Sequence, residues 1–166
     1  MKSKTRKTVK SPPKRTPTPS RPPAPLIKVK KLNPLAQLPE KAYSTDAGFD
    51  LVATSVEHPF GSTGIYVEVC TGVAFEIPPG YVGLVFPRSS VSDTKHFLRN
   101  SVGVIDSGYR GEVKLRYSID DSNTAYGIGD KVGQIVFMEL PEIKLVESSV
   151  LSTSARREGG FGSTGK

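Results

Sequence analysis

Between Val113 and Ile119 every second residue is apolar: Val113, Leu115, Tyr117 and Ile119 alternate with Lys114, Arg116 and Ser118. A period of two places one set on each face of a pleated strand, which predicts a half-buried antiparallel strand. Val73, Phe75 and Ile77 repeat the pattern around Ala74 and Glu76, before the turn Pro78-Pro79-Gly80. Gln134 to Leu140 is almost continuously apolar and stops at Pro141, predicting a more deeply buried strand, and a further strand is expected over Ile143 to Val146. From Leu26 onward such runs are broken by Gly, Pro, Asn and Asp. No amphipathic helix of three turns is visible; Ser89 to Phe97 is the candidate for a short one, with its serines available as caps. The expected fold is therefore all-β, a sandwich or barrel.

The 166 residues suit one domain with a tail. The formal charge of +7 does not describe the whole chain: residues 1–31 carry eleven of the 23 Lys and Arg and no acid, which leaves the remainder at −4. Residues 1–25 also hold seven of the fourteen prolines, with Val9 and Ala24 the only aliphatic residues. Such a segment buries too little apolar surface to offset its ordering entropy and is expected to be a disordered or extended arm. It reads as an electrostatic arm for nonspecific contact with nucleic acid or another polyanion, as a solvated extension without a partner, or as an address signal. The expected organisation is arm 1–25, β-rich core 26–151, and a mobile Gly-rich tail 152–166.

No apolar run of eighteen residues is present, and the start Met1-Lys2-Ser3-Lys4 does not lead into an apolar stretch. The expectation is a soluble intracellular protein with no membrane contact, located in the cytoplasm. The single Cys70 sits in a strand-like pattern and reads as a buried structural thiol. His58 and His96 have no cysteine or carboxylate at a zinc-like spacing and read as surface residues.

Chemistry must come from the loops, and five segments carry it. Asp46-Ala47-Gly48-Phe49-Asp50 flanks a glycine with two carboxylates, where glycine lets the backbone turn; an ordinary strand start explains it as well. Phe86-Pro87-Arg88-Ser89-Ser90 ends an apolar strand and then presents a guanidinium and two hydroxyls, a set suited to an anion. Asn100 to Gly111 places Asp106 between an apolar pair and a Gly-flanked aromatic, Tyr109, within what looks like a tight hairpin. Asp106 can be a general base there, or make turn hydrogen bonds. Gly129-Asp130-Lys131-Val132-Gly133-Gln134 says only hairpin. Arg156 to Lys166 joins glycines, hydroxyls and basic residues to one aromatic, Phe161, which suits a polyphosphate bearing a base. Residues 160–166 also match the first part of a P-loop, but no Ser or Thr and no helix follow Lys166, so that match is set aside.

In order and spacing these segments resemble the five motifs of the trimeric dUTPases, enzymes that hydrolyse dUTP to dUMP and pyrophosphate. Pro87-Arg88-Ser89-Ser90, Gly103-Val104-Ile105-Asp106-Ser107-Gly108-Tyr109-Arg110-Gly111 and Gly159-Gly160-Phe161-Gly162-Ser163-Thr164-Gly165 carry the resemblance, which spans Asp46 to Gly165. The resemblance implies a jelly-roll-like β-barrel and a homotrimer with shared active sites. It implies that Asp106 activates a water for in-line attack on the α-phosphorus, that Tyr109 excludes a 2′-hydroxyl, and that Asn100 and the hairpin around Val104 read uracil. Arg88, Ser89, Ser90 and Gln134 would hold the triphosphate. Arg157, Gly160, Gly162 and Ser163 would close over it, with Phe161 stacked on the base, the choice of Arg157 over Arg156 resting on register. Asp50 would be a supporting residue, and Mg2+ would be held by the triphosphate and water without a direct protein ligand. Such an enzyme limits uracil in DNA and supplies dUMP for thymidylate synthesis.

Two departures stand out. Gly108 replaces a second acid common in the third motif, and Ser90 replaces the commoner glycine of the second, after which Ser92 to Phe97 match poorly. The competing readings are a dCTP deaminase-type relative, a dUTP-gated regulatory binding protein, and a basic-tailed nucleic-acid-binding protein. Activity on dCTP, partner loss on deleting the arm, and steep salt dependence would distinguish them.

Overall fold

The computed structural model describes residues 23–58, 66–118 and 126–160. The basic arm up to residue 22, and with it most of the expected arm, lies outside the described residues. Among the described residues ten strands follow one another: β1 (Lys28–Lys31), β2 (Phe49–Val52), β3 (Ser55–Glu57), β4 (Tyr66–Cys70), β5 (Val73–Glu76), β6 (Tyr81–Phe86), β7 (Phe97–Leu98), β8 (Gly103–Ile105), β9 (Lys114–Ser118) and β10 (Lys131–Glu139). They form three antiparallel sheets with strand orders β1-β5, β2-β10-β6-β8 and β3-β4-β9-β7. This is the all-β sandwich that the alternation predicts.

The core is built from the inward sets. Leu115 and Tyr117 of β9, with Val113 just before it, are buried, while Lys114 and Arg116 face outward. They meet Val67 and Val69 of β4, Leu51 of β2, and Val132 and Ile135 of β10, all essentially inaccessible. Burying each such side chain stabilises the fold by about 1.5–3 kcal/mol. Tyr117 belongs in this apolar centre because its hydroxyl donates to Val132 O at 2.7 Å. Cys70 is a buried free thiol, as expected.

Four local expectations differ. The helix near Ser89 is a five-residue 3-10 turn, Ser89–Asp93, with no side-chain cap: Arg88 occupies the cap position, and the Ser92 hydroxyl donates to Ser89 O instead. β10 starts three residues earlier than the apolar run suggests, and its burial is confined to the first half, with Met138 and Leu140 half exposed at the far end. Ile143 to Val146 forms no strand: among the described residues no strand pairs with it, and its side chains face solvent, Leu145 at 95% exposure. His96 is 6% exposed, not a surface residue, since it enters β7 and turns its ring onto Tyr117 and Tyr126 at centroid distances of 6.4 and 5.3 Å. His58 is exposed.

Candidate active site

The segment from Asn100 to Gly111 is not a hairpin. β8 pairs with β6, whereas β9 pairs with β4 and β7, so the chain after Ile105 crosses from one sheet to the other. The crossing turn is held by main chain: Tyr109 N–H donates to Asp106 O at 3.0 Å, and Arg110 Nη1 donates to Ser107 O at 2.6 Å and Tyr109 O at 2.9 Å. Among the described residues nothing donates to the Asp106 carboxylate, which is exposed, so turn bonding does not occupy it. The crossing is anchored at the β4–β5 turn through Glu112, whose Oε1 accepts the Gly72 N–H at 2.6 Å, and at the start of β5 through Val113 N–H, which donates to Val73 O at 2.9 Å.

Asn100, Val104, Ile105, Asp106 and Tyr109 line one open cavity of about 630 Å3. Its opposite wall comes from the outward positions of β4 and β9. There Glu68 Oε1 accepts from Lys114 Nζ and Glu68 Oε2 from Arg116 Nη2, both at 2.7 Å. The Lys114 hydrogen bond first, and Arg116 with it, hold the Glu68 carboxyl below the usual range against the opposing effect of burial. Arg99 and Arg116 lie over the Tyr66 ring, 5.0 and 5.6 Å from its centroid. Sequence reasoning missed this charged wall. The outward set of β9 was legible, but its partner Glu68 emerges only from the β4–β9 register, in which Glu68 faces Arg116.

A second cavity, of about 310 Å3, gathers the phosphate-type residues. Asp46, Gly48, Asp50, Arg88, Ser89 and Gln134 line it, and Ser90 stands outside its lining. Arg88 Nε donates to Asp50 Oδ1 at 3.0 Å, and Lys131 Nζ donates to Asp50 Oδ2 at 2.7 Å. Gln134 Nε2 donates to Pro87 O at 3.2 Å. Lys131 is a residue the sequence reading left inside a plain turn. Gly48 serves a different purpose from the one expected: its φ is unremarkable, and a Cβ there would collide with the Gln134 side chain, 3.0 Å from Cδ, so the glycine makes room for that amide.

The two cavities share no described residue, and their positions along β6 explain why. Ile105 pairs with Gly83 and Gly103 with Val85, so Asp106 falls beside Val82, at one end of β6, while Arg88 lies beyond the other. Six residues of extended chain separate those levels, roughly 20 Å at about 3.3 Å per residue. The described part of the tail, residues 152–160, lines neither cavity. Arg157 sits at φ 48 with its N–H donating to Ser154 Oγ at 3.1 Å, and Arg156 Nε donates to Gly159 O at 2.9 Å. Gly160 is the last described residue; Phe161, Gly162 and Ser163 lie outside the described residues.

The carboxylates of the second cavity are already engaged. Both Asp50 oxygens face cations, and Asp46 Oδ2 accepts the Tyr43 N–H at 2.9 Å. Among the described residues Glu57, Glu68 and Cys70 bring one candidate ligand atom each within 4.8 Å of one another. Glu68 is already shared by two cations, and burial raises the Cys70 thiol, so this set does not fit a hard cation such as magnesium. Among the described residues no helix is long and apolar enough to cross a membrane.

Comparison with known proteins places this arrangement. The dUTPase family profile matches residues 35–165. The deoxyuridine 5'-triphosphate nucleotidohydrolase of Clostridium acetobutylicum is 40% identical over 144 residues, covering 84% of this chain and 96% of its own. That of Thermobifida fusca is 38% identical over 143 residues, covering 84% and 78%. Among solved structures, a variant dUTPase of Staphylococcus bacteriophage 80alpha with dUpNHpp superposes at a TM-score of 0.71 and 28% identity, covering 85% of this chain and 99% of its own. With the family profile spanning both cavities and the tail up to residue 165, the chain belongs to the dUTPase family of enzymes.

Proposed function

We propose that this dUTPase, a hydrolase of dUTP to dUMP and pyrophosphate, uses Asp106 as the general base of an in-line displacement. The observation that carries the reading is the cavity in which an unengaged Asp106 carboxylate stands with Asn100, Val104 and Tyr109. The carboxylate takes a proton from water as the water oxygen bonds to the α-phosphorus, and the bond to the bridging oxygen breaks to release pyrophosphate. Asn100 and the backbone near Val104 read the uracil edge, Tyr109 closes the 2′ face of the sugar, and Phe161 stacks on the base.

Arg88, Ser89, Ser90 and Gln134 hold the triphosphate, with Asp50 fixing the Arg88 fork. Arg157, Gly160, Gly162 and Ser163 close over the phosphates. The choice of Arg157 over Arg156 is supported by side-chain commitments: Arg156 is tied to its own chain at Gly159 O. Magnesium, when bound, would offset phosphate charge; with Asp46 and Asp50 already engaged, triphosphate oxygens and water would be its ligands.

One chain cannot assemble this site. Asp106 and Arg88 stand at opposite ends of β6, roughly 20 Å apart by strand rise, and the described part of the tail, up to residue 160, lines neither cavity. A homotrimer with shared sites resolves the separation, since the Asp106 cavity of one subunit can face the Arg88 cavity of a second and the tail of a third. Residues 1–25 stay outside the mechanism and serve, if anything, as a nonspecific contact for polyanions.

The test is pyrophosphate release with magnesium from dUTP, dCTP, dTTP and UTP. Hydrolysis confined to dUTP supports the reading. Deamination of dCTP, or binding of dUTP without turnover, replaces it with the deaminase or the regulatory alternative.

A further inference from the structure

Gly111 follows Tyr109 by two residues and shows no conformational need for glycine, since its φ lies outside the left-handed region. What it provides is space. A Cβ at Gly111 would stand 2.5 Å from Tyr109 Cζ and 3.0 Å from Cε2, with the hydroxyl oxygen nearer still. The Tyr109 ring therefore lies directly against the bare Cα. Its hydroxyl reaches one residue further and donates to Glu112 O at 3.0 Å. Glu112 is itself fixed to the β4–β5 turn through the Gly72 N–H. Ring, seat and anchor form one unit at the mouth of the Asp106 cavity.

A methyl at Gly111 must displace something. The backbone there is tied at both sides of the crossing, whereas Tyr109 is 45% exposed and can swing outward. The expected response is thus a moved ring and a lost Tyr109–Glu112 hydrogen bond, with the fold kept. Gly108, in the same turn, has nothing within 4 Å of a built Cβ and is a matched control.

We propose that Gly111 is a positioning residue for sugar selection: its missing side chain seats the Tyr109 ring, and Glu112 O latches it, so that the ring stays fixed where a ribose 2′-hydroxyl would have to fit. This rests on the reading of Tyr109 as the group that closes the 2′ face. Exclusion by shape needs a wall that does not yield, and a ring that can tilt is a poor wall.

The experiment measures the ratio of kcat/KM for dUTP to that for UTP in the natural chain, Gly111→Ala, Gly108→Ala, Tyr109→Ala and the Tyr109→Ala/Gly111→Ala double variant, with thermal midpoints. Gly111→Ala is expected to lower the ratio by about tenfold and Gly108→Ala to leave it within about twofold. The double variant should match Tyr109→Ala, because no ring remains to displace. If Gly111→Ala unfolds the chain, the double variant should restore the fold. The inference is overturned if Gly111→Ala keeps the natural ratio while Tyr109→Ala lowers it, or if the double variant is worse than Tyr109→Ala alone in ratio or in folding. An unchanged ratio in Tyr109→Ala removes the sugar role of Tyr109 itself, and the inference with it.

Discussion

Arg88 donates its Nε–H to Asp50 Oδ1 at 3.0 Å across 38 residues of chain. That bond joins the first two loop segments into one cavity, and Lys131 on the other carboxylate oxygen joins a third. A guanidinium held through Nε presents its two terminal nitrogens in a fixed direction, which suits bidentate contact with phosphate. Holding it so in advance lowers the ordering cost of binding.

Asp50→Asn keeps the volume and removes the charge that both cations face. The expected result is a KM for dUTP raised by about fivefold to tenfold, because a loosened Arg88 must be reordered by the substrate. The ion pairs are partly exposed, so the thermal midpoint should fall by only a few degrees, for a loss of about 1 kcal/mol. Steady-state kinetics on the refolded variant checks this, and an unchanged or lower KM would contradict it.

Shared sites predict complementation between inactive variants. Asp106→Asn and Arg88→Ala are each expected to lose most activity. Equal amounts unfolded and refolded together should regain about a quarter of natural activity, the fraction of sites that randomly receive an intact Asp106 and an intact Arg88 from different subunits. No regain on mixing would place both residues in a site made by one chain.

His96 costs the fold something. It is buried, and among the described residues neither ring nitrogen finds a hydrogen-bond partner. An unsatisfied buried polar group costs about 1–3 kcal/mol, so an apolar ring of similar shape should be neutral or better. His96→Phe is expected to raise the thermal midpoint by about 2–4 °C. A lowered midpoint by calorimetry would show that the imidazole has a favourable role.

Glu68 predicts an acid dependence. Its folded pKa is depressed by Lys114 and Arg116, so its contribution is full above the ordinary glutamate value and disappears as pH falls through the lower folded one. Natural-chain stability should decline below about pH 4.3 more steeply than that of Glu68→Gln. Parallel curves of thermal midpoint against pH would contradict the assignment.

Local periodicity revealed which residues of β5 and β9 point inward, because strand alternation is written in adjacent residues. Pairing is not. The turn after Asp106 reads as a hairpin, yet β8 joins β6 and β9 joins β4, a choice set by contacts distant in sequence. For the same reason the Asp50–Lys131 contact and the Glu68 wall could not be read in advance, and the buried His96 looked like a surface residue. Ile143 to Val146 has the composition of a strand but no pairing strand among the described residues. The structure gathers Asn100, Val104, Asp106 and Tyr109 in one cavity and Arg88, Ser89 and Gln134 in another, a division in line with the shared sites that the resemblance implied, whereas the contacts that hold each set lie between residues distant in sequence.

The most direct measurement is pyrophosphate release from dUTP by Asp106→Asn and by the natural chain, with magnesium, after matching their thermal midpoints. The account predicts that the amide, unable to accept the proton, slows turnover by about 100-fold or more while dUTP still binds. Turnover within about tenfold of the natural chain, less than removal of a general base allows, would contradict Asp106 as the base.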